Sequence, residues 1–240
     1  MRVAVLSDIH SNIVALDAVL SHAGDVDAIW HLGDVVGYGP EPDAVVARLR
    51  ERDATGVRGN HDAAAVGGRE IDWFNPEARA AAEWTRDAMA PATRDWLSAL
   101  PERRVVDDVL LVHGSPRDPL REYVTDRQAA AENIDAQETQ HALHGHTHVP
   151  AAWLATPDGV ALIRAGETDG VELGSRRTLV NPGSVGQPRD GDPRAAYLVL
   201  DQATGRVTWH RVEYDIERVQ TAMRSAGLPE RLATRLAFGL

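Results

Sequence analysis

The chain has 240 residues, of which 43% are hydrophobic and 25% are charged, and its formal net charge is −11. This length suits one large domain with a substantial core. Arginine supplies all 25 basic residues. Because an acidic surface repels polyphosphate backbones, the composition argues against a protein that binds nucleic acid through a basic face. The absence of cysteine excludes disulfides and thiolate metal sites.

Two features of the sequence bear on where the protein resides. The first predicted strand begins at Arg2, so we expect no signal peptide. No segment approaches the roughly 18 consecutive apolar residues of a membrane-spanning helix. Together with the lack of cysteine, these features lead us to expect a cytoplasmic protein with no membrane partner.

The first hundred residues alternate predicted strands with predicted helices. Short apolar runs predict strands at Arg2–Ser7, Ala28–Leu32 and Thr55–Arg58. Apolar stripes and proline-marked starts predict helices that begin near Ile13, Pro42, Asn75 and Thr93. This alternation is typical of a sheet with parallel strands and helical crossovers.

The second half of the chain is richer in strands. Predicted strands lie at Arg104–Asp107, Val109–Val112, Ala152–Ala155, Val160–Arg164, Thr178–Val180, Ala196–Leu200 and Val207–Val212. A helix is predicted at Asp126–Ile134, and helical periodicity returns in the tail. We therefore predict an α/β fold in which two mixed sheets pack together with helices outside. One domain is expected over residues 1–214, with a helical tail over 215–240 that packs on the domain or on a partner subunit.

Seven polar residues stand where short apolar runs end. They are Asp8, His10, Asp34, Asn60, His113, His146 and His148. Ligands of α/β sheets bind at the carboxyl ends of the strands. Oxygen and imidazole ligands without a thiolate indicate a hard-to-borderline metal. Seven ligands exceed the needs of one tetrahedral ion and suit two ions that share a carboxylate.

The residue types fit a dinuclear centre. Asp8 and His10 are two apart on an extended segment, so their side chains lie on one side. Asp34 has enough lone pairs to bridge two cations, and Asn60 adds a neutral oxygen. Two such ions lower the pKa of a shared water and stabilise both oxygens of an in-line displacement, which predicts hydrolysis at phosphorus by a bridging hydroxide. His61 follows Asn60 and is the candidate catalytic residue, able to donate a proton to the leaving alkoxide or to stabilise its charge.

Several motifs carry a family resemblance. In chain order they are Ser7-Asp8-Ile9-His10-Ser11-Asn12, Gly33-Asp34-Val35-Val36-Gly37-Tyr38-Gly39-Pro40, Gly59-Asn60-His61-Asp62, His113-Gly114, Gly145-His146-Thr147-His148 and Asn181-Pro182-Gly183-Ser184-Val185-Gly186-Gln187-Pro188-Arg189. Together they resemble the calcineurin-like metallophosphoesterase superfamily, most closely its small prokaryotic phosphodiesterase branch. Single motifs of this kind are weak signals, whereas five in order are strong.

The resemblance implies a four-layer α/β/β/α sandwich and a specific ligand assignment. By resemblance, Asp8, His10, Asp34 and His148 hold one ion. Asp34, Asn60, His113 and His146 hold the other, and His61 is the catalytic histidine. Manganese, iron, zinc, nickel and cobalt all suit these ligands.

One departure from the superfamily pattern is informative. Its protein serine/threonine phosphatases carry Asp-Arg after the bridging-aspartate motif, and that arginine binds phosphate. Here these positions hold Gly37 and Tyr38. This argues against a protein phosphatase and removes the aspartate that would orient His61. Asp62 is adjacent in sequence, and we expect its side chain to point away.

Three further residues are candidates for substrate binding, each with a structural alternative. Asn12 can hold phosphate or cap the helix at Ile13. Tyr38 can form a wall of the cleft. Arg189 can bind phosphate, although a surface ion pair with Asp190 or Asp192 is the slightly favoured interpretation.

The sequence therefore predicts a metal-dependent phosphoesterase, and the resemblance favours a phosphodiesterase for small or nucleotide-like phosphoesters. The alternative is a non-catalytic metal-binding interaction module on the same fold. We expect a small phosphoester substrate and no stable nucleic-acid complex. A homo-oligomer is also compatible with the sequence.

Overall fold

The computed structural model describes residues 1–166 and 170–240. Its strands are β1 (Arg2–Leu6), β2 (Ala28–His31), β3 (Thr55–Gly56), β4 (Arg103–Val106), β5 (Val109–Val112), β6 (His141–Leu143), β7 (Ala151–Thr156), β8 (Gly159–Arg164), β9 (Gly170–Glu172), β10 (Thr178–Asn181), β11 (Ala195–Asp201) and β12 (Arg206–Val212). Its α-helices are α1 (Ile13–Ala23), α2 (Pro42–Glu51), α3 (Asn60–Ala65), α4 (Pro76–Ala88), α5 (Pro91–Ala99), α6 (Arg127–Ala136), α7 (Ile216–Ser225) and α8 (Glu230–Thr234). Two 3₁₀ helices span Arg69–Trp73 and Arg235–Phe238.

The strands form two six-stranded mixed sheets. The first has the order β3-β2-β1-β11-β12-β9, and the second has the order β4-β5-β6-β10-β7-β8. In the first sheet β1 runs parallel to β2, with Val3 opposite Ala28, and antiparallel to β11. In the second sheet β6 runs parallel to both β5 and β10. Each sheet thus contains a block of three parallel strands, β1–β2–β3 in one and β5–β6–β10 in the other.

Apolar side chains between and outside the sheets build four layers. Between the sheets, Val3, Val5, Trp30 and Leu32 from the first pack against residues such as Leu111 from the second. The outer face of the first sheet is covered by α1 and α2, and that of the second by α6. Because alternate residues of a strand face opposite sides, each buried strand supplies both an inner and an outer layer. The predicted α/β/β/α sandwich is confirmed.

The parallel blocks position the functional residues. Asp8, Asp34 and Asn60 follow the carboxyl ends of β1, β2 and β3. His113 follows β5, and His146 lies in the loop after β6. Because the two blocks end at the same edge of the sandwich, side chains from both sheets meet there.

The observed elements differ from the sequence prediction near the third strand. β3 contains only Thr55 and Gly56 because the amide of Arg58 leaves the sheet to bond the carbonyl of Pro101. Helix α3 and the 3₁₀ helix Arg69–Trp73 were not predicted, since an alanine-rich run and a five-residue turn carry no clear apolar period.

The C-terminal segment packs on the rest of the chain. Val219, Met223 and Leu236 share an apolar cluster with Tyr38 and Ala81. Helix α7 begins at the cap Asp215, whose carboxylate accepts from the amide of Arg218. Within the described part of the chain, no helix has the length and apolarity that a bilayer crossing requires.

Candidate metal centre

Three of the predicted ligands form a first triad, made of Asp8, His10 and His148. The Nε2 atom of His148 lies 3.2 Å from Asp8 Oδ1 and 3.3 Å from His10 Nε2. All three side chains are at least 98% buried. Their ligand atoms all lie within 4.8 Å of one another, a spacing that suits one cation between them.

Asp34, His113 and His146 form a second triad. The Nε2 atom of His113 lies 3.3 Å from Asp34 Oδ2 and 3.0 Å from His146 Nδ1. Asn60 adds its side-chain oxygen, which lies 2.9 Å from the same His113 nitrogen. The second group therefore offers four donor side chains.

Asp34 lies between the two triads. Its Oδ2 atom is 3.7 Å from His10 Nε2 in the first triad and 3.3 Å from His113 Nε2 in the second. Its other oxygen, Oδ1, accepts a hydrogen bond of 2.8 Å from the amide of His61. This carboxylate thus lies close to both groups of donor side chains, and each group contains residues that the resemblance assigns to one ion.

Backbone carbonyls hold the four histidines in place. The Nδ1 atoms of His10, His113 and His148 lie near the carbonyls of Val36, Leu32 and Gln187. His146 uses Nε2 instead, against the carbonyl of Arg121 at 3.2 Å. In a neutral ring, a nitrogen that donates to a carbonyl leaves the other nitrogen with a lone pair, which is the tautomer that binds a metal.

The loops that carry these ligands have unusual backbone conformations. Asp8, His10, Asp34, His146 and His148 all have φ between +49° and +66°. Non-glycine residues rarely adopt this left-handed region, and such strain concentrates at functional sites.

Two glycines allow the loops to approach closely. A β-carbon at Gly59 would lie 2.1 Å from Asp34 Oδ1, and one at Gly145 would lie 1.9 Å from Ser7 Oγ. Both positions require glycine because the loop after β3 is in direct contact with the loop after β2, and the loop after β6 with the end of β1 in the other sheet.

The donor set fits divalent cations. In the first triad, burial lowers the pKa of both His10 and His148, so these rings are neutral. Burial alone would raise the pKa of Asp8, but His148 and further hydrogen bonds hold it below its usual value. Asp8 Oδ1 is buried and has no hydrogen-bond partner among the described residues. The ligand atoms of Asp8, His10 and His148 thus face one another with lone pairs and no proton, and a cation bound between them would stabilise this arrangement.

His61 is placed beside the first triad at the start of α3. Its ring packs between Tyr38 and Phe74, with ring centroids 4.3 Å and 4.4 Å away, and its edge meets His10. Burial lowers the pKa of His61 to about 4, against the opposing effect of Asp34. The imidazole is therefore neutral at pH 7 and can donate a hydrogen bond through its N–H.

Aromatic packing orients His61 in place of an aspartate. A β-carbon at Gly37 would lie 2.7 Å from His61 Nδ1, so the aspartate of the phosphatase motif has no room here. Asp62 points away, as expected, and accepts hydrogen bonds from the amides of Gly59 and Val36. The rings of Tyr38 and Phe74 are what fix the position of His61.

The three predicted substrate-binding residues have different surroundings. Asn12 uses both polar atoms structurally: Oδ1 caps α1 through the amide of Ala15, and Nδ2 donates to the carbonyl of Gly186. Its contacts therefore support the capping interpretation. Tyr38 is 6% exposed and lies 4.6 Å from the His10 ring between centroids, so it does form a wall beside the first triad.

The prediction that Arg189 forms a surface ion pair with Asp190 or Asp192 is wrong. Asp190 pairs with Arg211, and Asp192 pairs with Arg194. Arg189 instead contacts Gln187 Oε1 at 3.1 Å and the Tyr38 hydroxyl at 3.4 Å. The two aspartates are thus paired with other arginines, and the guanidinium of Arg189 lies against Tyr38.

The sequence analysis missed an aromatic cavity of about 180 Å³ next to the second triad. Tyr123 stacks on His146 with ring centroids 3.7 Å apart. The guanidinium carbon of Arg121 lies 3.7 Å from the centroid of the Trp73 ring, in a cation–π contact. The cavity is lined by Asn60, Glu70, Trp73, Phe74, Leu120, Arg121, Tyr123 and His146.

Comparisons with known proteins give the family. The model of the calcineurin-like phosphoesterase superfamily domain matches residues 1–205. An uncharacterized protein of Methanocaldococcus jannaschii is 34% identical, and the alignment covers 99% of this chain and 98% of the relative.

Two solved structures extend the match. A metallophosphoesterase from Sphaerobacter thermophilus is 46% identical over 100% of this chain and 99% of that one, with a TM-score of 0.92. A hypothetical protein from Pyrococcus horikoshii shares the fold, with a TM-score of 0.81 at 22% identity over 100% of this chain and 98% of its own. The chain belongs to the calcineurin-like phosphoesterase superfamily.

Proposed function

We propose that this protein is a dinuclear metal-dependent phosphodiesterase that acts on small or nucleotide-like phosphoesters. The observation that carries the proposal is the pair of buried triads with Asp34 between them. Manganese, iron, zinc, nickel and cobalt are the candidate ions, since the donors are imidazole nitrogens and oxygens. Two bound ions would offset phosphate charge and activate water for attack at phosphorus.

The side chains of the chain have distinct roles in this proposal. The seven candidate ligands would hold the two ions, and the carbonyls behind the histidines orient the rings for this role. His61 donates a hydrogen bond from its neutral ring to the leaving oxygen, which stabilises the charge that develops there.

The aromatic cavity supports the preference for diesters with a flat ester group. It opens directly beside Asn60 and His146, so a group attached to the scissile phosphate would enter it. Trp73 is 56% exposed and Tyr123 is 49% exposed. Stacking of a base on an aromatic side chain contributes about 1–3 kcal/mol, which favours a nucleoside or aryl ester over a small alkyl ester.

A substrate panel tests the proposal. The protein is loaded separately with each candidate metal, the bound ions are counted by elemental analysis, and cleavage of bis(p-nitrophenyl) phosphate is compared with that of p-nitrophenyl phosphate. We expect about two ions per chain and a kcat/KM at least about tenfold higher for the diester. A protein that binds two ions and cleaves neither ester would support the alternative, a non-catalytic interaction module.

A second measurement tests the cavity. In Tyr123→Ala, the KM for a nucleoside p-nitrophenyl phosphodiester is expected to rise about tenfold, while that for methyl p-nitrophenyl phosphate stays unchanged. Phe238→Ala is the matched control, because Phe238 is 59% exposed and lies outside the cavity lining. An equal rise in KM for both substrates would show that Tyr123 does not stack on the nucleoside.

Large polynucleotides are the less favoured substrates. The net charge of −11 opposes binding of a polyanion, so we expect no retention on DNA or RNA at physiological salt. The predicted cytoplasmic location and a homo-oligomer stay predictions of the sequence.

A further inference from the structure

Two arginines converge beside the metal centre, against the ring of Tyr38. Arg189 comes from the loop after β10, and Arg235 comes from the C-terminal 3₁₀ helix. Their guanidinium carbons lie 5.8 Å and 4.8 Å from the centroid of the Tyr38 ring. Both guanidinium groups also donate to the same acceptor, Gln187 Oε1.

The two positive charges are not balanced by an acid. Among the described residues, neither guanidinium forms an ion pair with a carboxylate within 4.0 Å. The Nε atoms of Arg189 and Arg235 are both buried, and neither has a hydrogen-bond partner among the residues that the structure describes. Burial, and then the charge of Arg189, lower the pKa of Arg235. Two like charges held this way are costly unless an anion lies between them.

Only the side chain of Tyr38 separates the two arginines from His10 of the first triad and from His61. The Tyr38 ring contacts Arg189 and Arg235 on one side of the cleft and lies 4.6 Å from His10 and 4.3 Å from His61. The charge of Arg189 also acts to lower the pKa of His148 and His61. An anion bound at the pair would therefore lie next to a phosphate bound at the first triad.

We propose that Arg189 and Arg235 form an oxyanion site for a second phosphate of the substrate, next to the phosphate that is cleaved. Arginine suits this role because its planar fork of N–H groups binds phosphate oxygens in a bidentate manner. The preferred substrates are then phosphoesters that carry an additional phosphate group. The C-terminal segment, which lies beyond residues 1–205 of the family match, contributes a substrate contact through Arg235.

The first experiment measures binding and does not depend on catalysis. Metal-free protein is titrated with inorganic phosphate and with pyrophosphate by calorimetry. We expect Arg235→Gln and Arg189→Gln each to weaken phosphate binding by about tenfold or more, the usual effect of losing a charged hydrogen bond. Arg231→Gln is the matched control, because Arg231 is 81% exposed and pairs with Glu77 in the same tail. Unchanged binding in both pair variants would overturn the proposal.

The second experiment identifies which phosphate the pair binds, and this step rests on the proposed function. Two p-nitrophenyl phosphodiesters are compared, one of which carries an additional terminal phosphate. Arg235→Gln is expected to raise the KM of the substrate with the additional phosphate about tenfold and to leave that of the other substrate unchanged. Arg235→Lys should recover part of the loss, and an unaltered melting temperature shows that the tail remains folded.

Each remaining outcome has a defined meaning. Equal KM increases for both substrates would show that the pair binds the cleaved phosphate, which overturns the second-phosphate site. If no ester is cleaved but Arg235→Gln still weakens phosphate binding, the oxyanion site stands and the proposed phosphodiesterase activity fails.

Discussion

The two triads have the same ligand types but hold different numbers of protons. In the first triad, burial lowers the pKa of His10 and His148, and Asp8 is ionised. In the second, burial acts to lower the pKa of His113, but the adjacent Asp34 raises it to about 9. At pH 7 the rings of His10 and His148 are thus neutral, whereas His113 in the metal-free protein carries an additional proton.

This difference has a physical cause. Both ring nitrogens of His113 face acceptors, the Leu32 carbonyl on one side and Asp34 with Asn60 on the other. His148 also faces a carboxylate, but burial lowers its pKa and the charge of Arg189 lowers it further. The two sites therefore differ because Asp34 outweighs burial at His113, whereas burial and Arg189 together outweigh Asp8 at His148. We expect the first triad to bind an ion before the second.

The largest expected effect comes from Asp34, which belongs to the second triad and lies 3.7 Å from His10 of the first. Asp34→Asn keeps the shape but removes the charge that both ions need, so both are expected to bind weakly. Losing an outer hydrogen-bond partner of a metal ligand costs roughly 10–100-fold in affinity or activity, and the loss here should exceed about 1000-fold in kcat/KM. Elemental analysis and diester hydrolysis measure the effect. Full metal content with wild-type turnover would rule out the shared carboxylate.

His61 is the next largest contributor. Because its ring is already neutral at pH 7, His61→Gln is expected to lower kcat by about 100-fold or more without changing the pH profile between pH 6 and 8. The metal content should stay at the wild-type value, since His61 is not among the grouped ligand residues. If His61→Gln removed a limb of the profile in that range, His61 would instead titrate there as a general acid.

Calorimetry in two buffers of different ionisation enthalpy sharpens the comparison of the triads. Because His113 has a pKa of about 9, it must lose a proton before it binds metal at pH 7. We expect about one proton to be released per chain, and to be released with the second ion. Raising the pH from 7 towards 9 should strengthen binding of the second ion and leave the first unchanged. Equal proton release on binding of the first and of the second ion would contradict the proposed difference in protonation between the two triads.

The ligands were predictable from the sequence for a physical reason. Asp8, Asp34 and His113 follow apolar runs that predict strands. Parallel strands place their carboxyl ends at one edge of a sheet, independently of the length of the connections between them. The aromatic cavity was not predictable, because Trp73 lies on a short 3₁₀ helix and Tyr123 on a loop without periodicity. Arg235 reaches the centre only through the path of the tail, which depends on tertiary packing.

Asn12 shows the limit of interpreting a motif residue by residue. It lies in the Asp8–Asn12 segment, which supplies two residues of the first triad, yet its side-chain oxygen accepts from the amide of Ala15 and its side-chain nitrogen donates to the carbonyl of Gly186. The same residue type caps α4, where Asn75 accepts from the amide of Ala78 at 2.9 Å. Sequence alone cannot separate these roles because asparagine suits both.

The smallest predicted effect separates capping from substrate binding. Asn12→Ala is expected to lower the free energy of unfolding of metal-free protein by about 1 kcal/mol, the usual cost of a lost cap. Denaturant unfolding should show a somewhat larger loss than for the matched cap variant Asn75→Ala, since Asn12 also bonds the carbonyl of Gly186. The KM of metal-loaded Asn12→Ala should remain at the wild-type value. A tenfold rise in KM, with a stability loss equal to that of Asn75→Ala, would instead assign Asn12 to the substrate and make the loop of the first triad part of the binding surface.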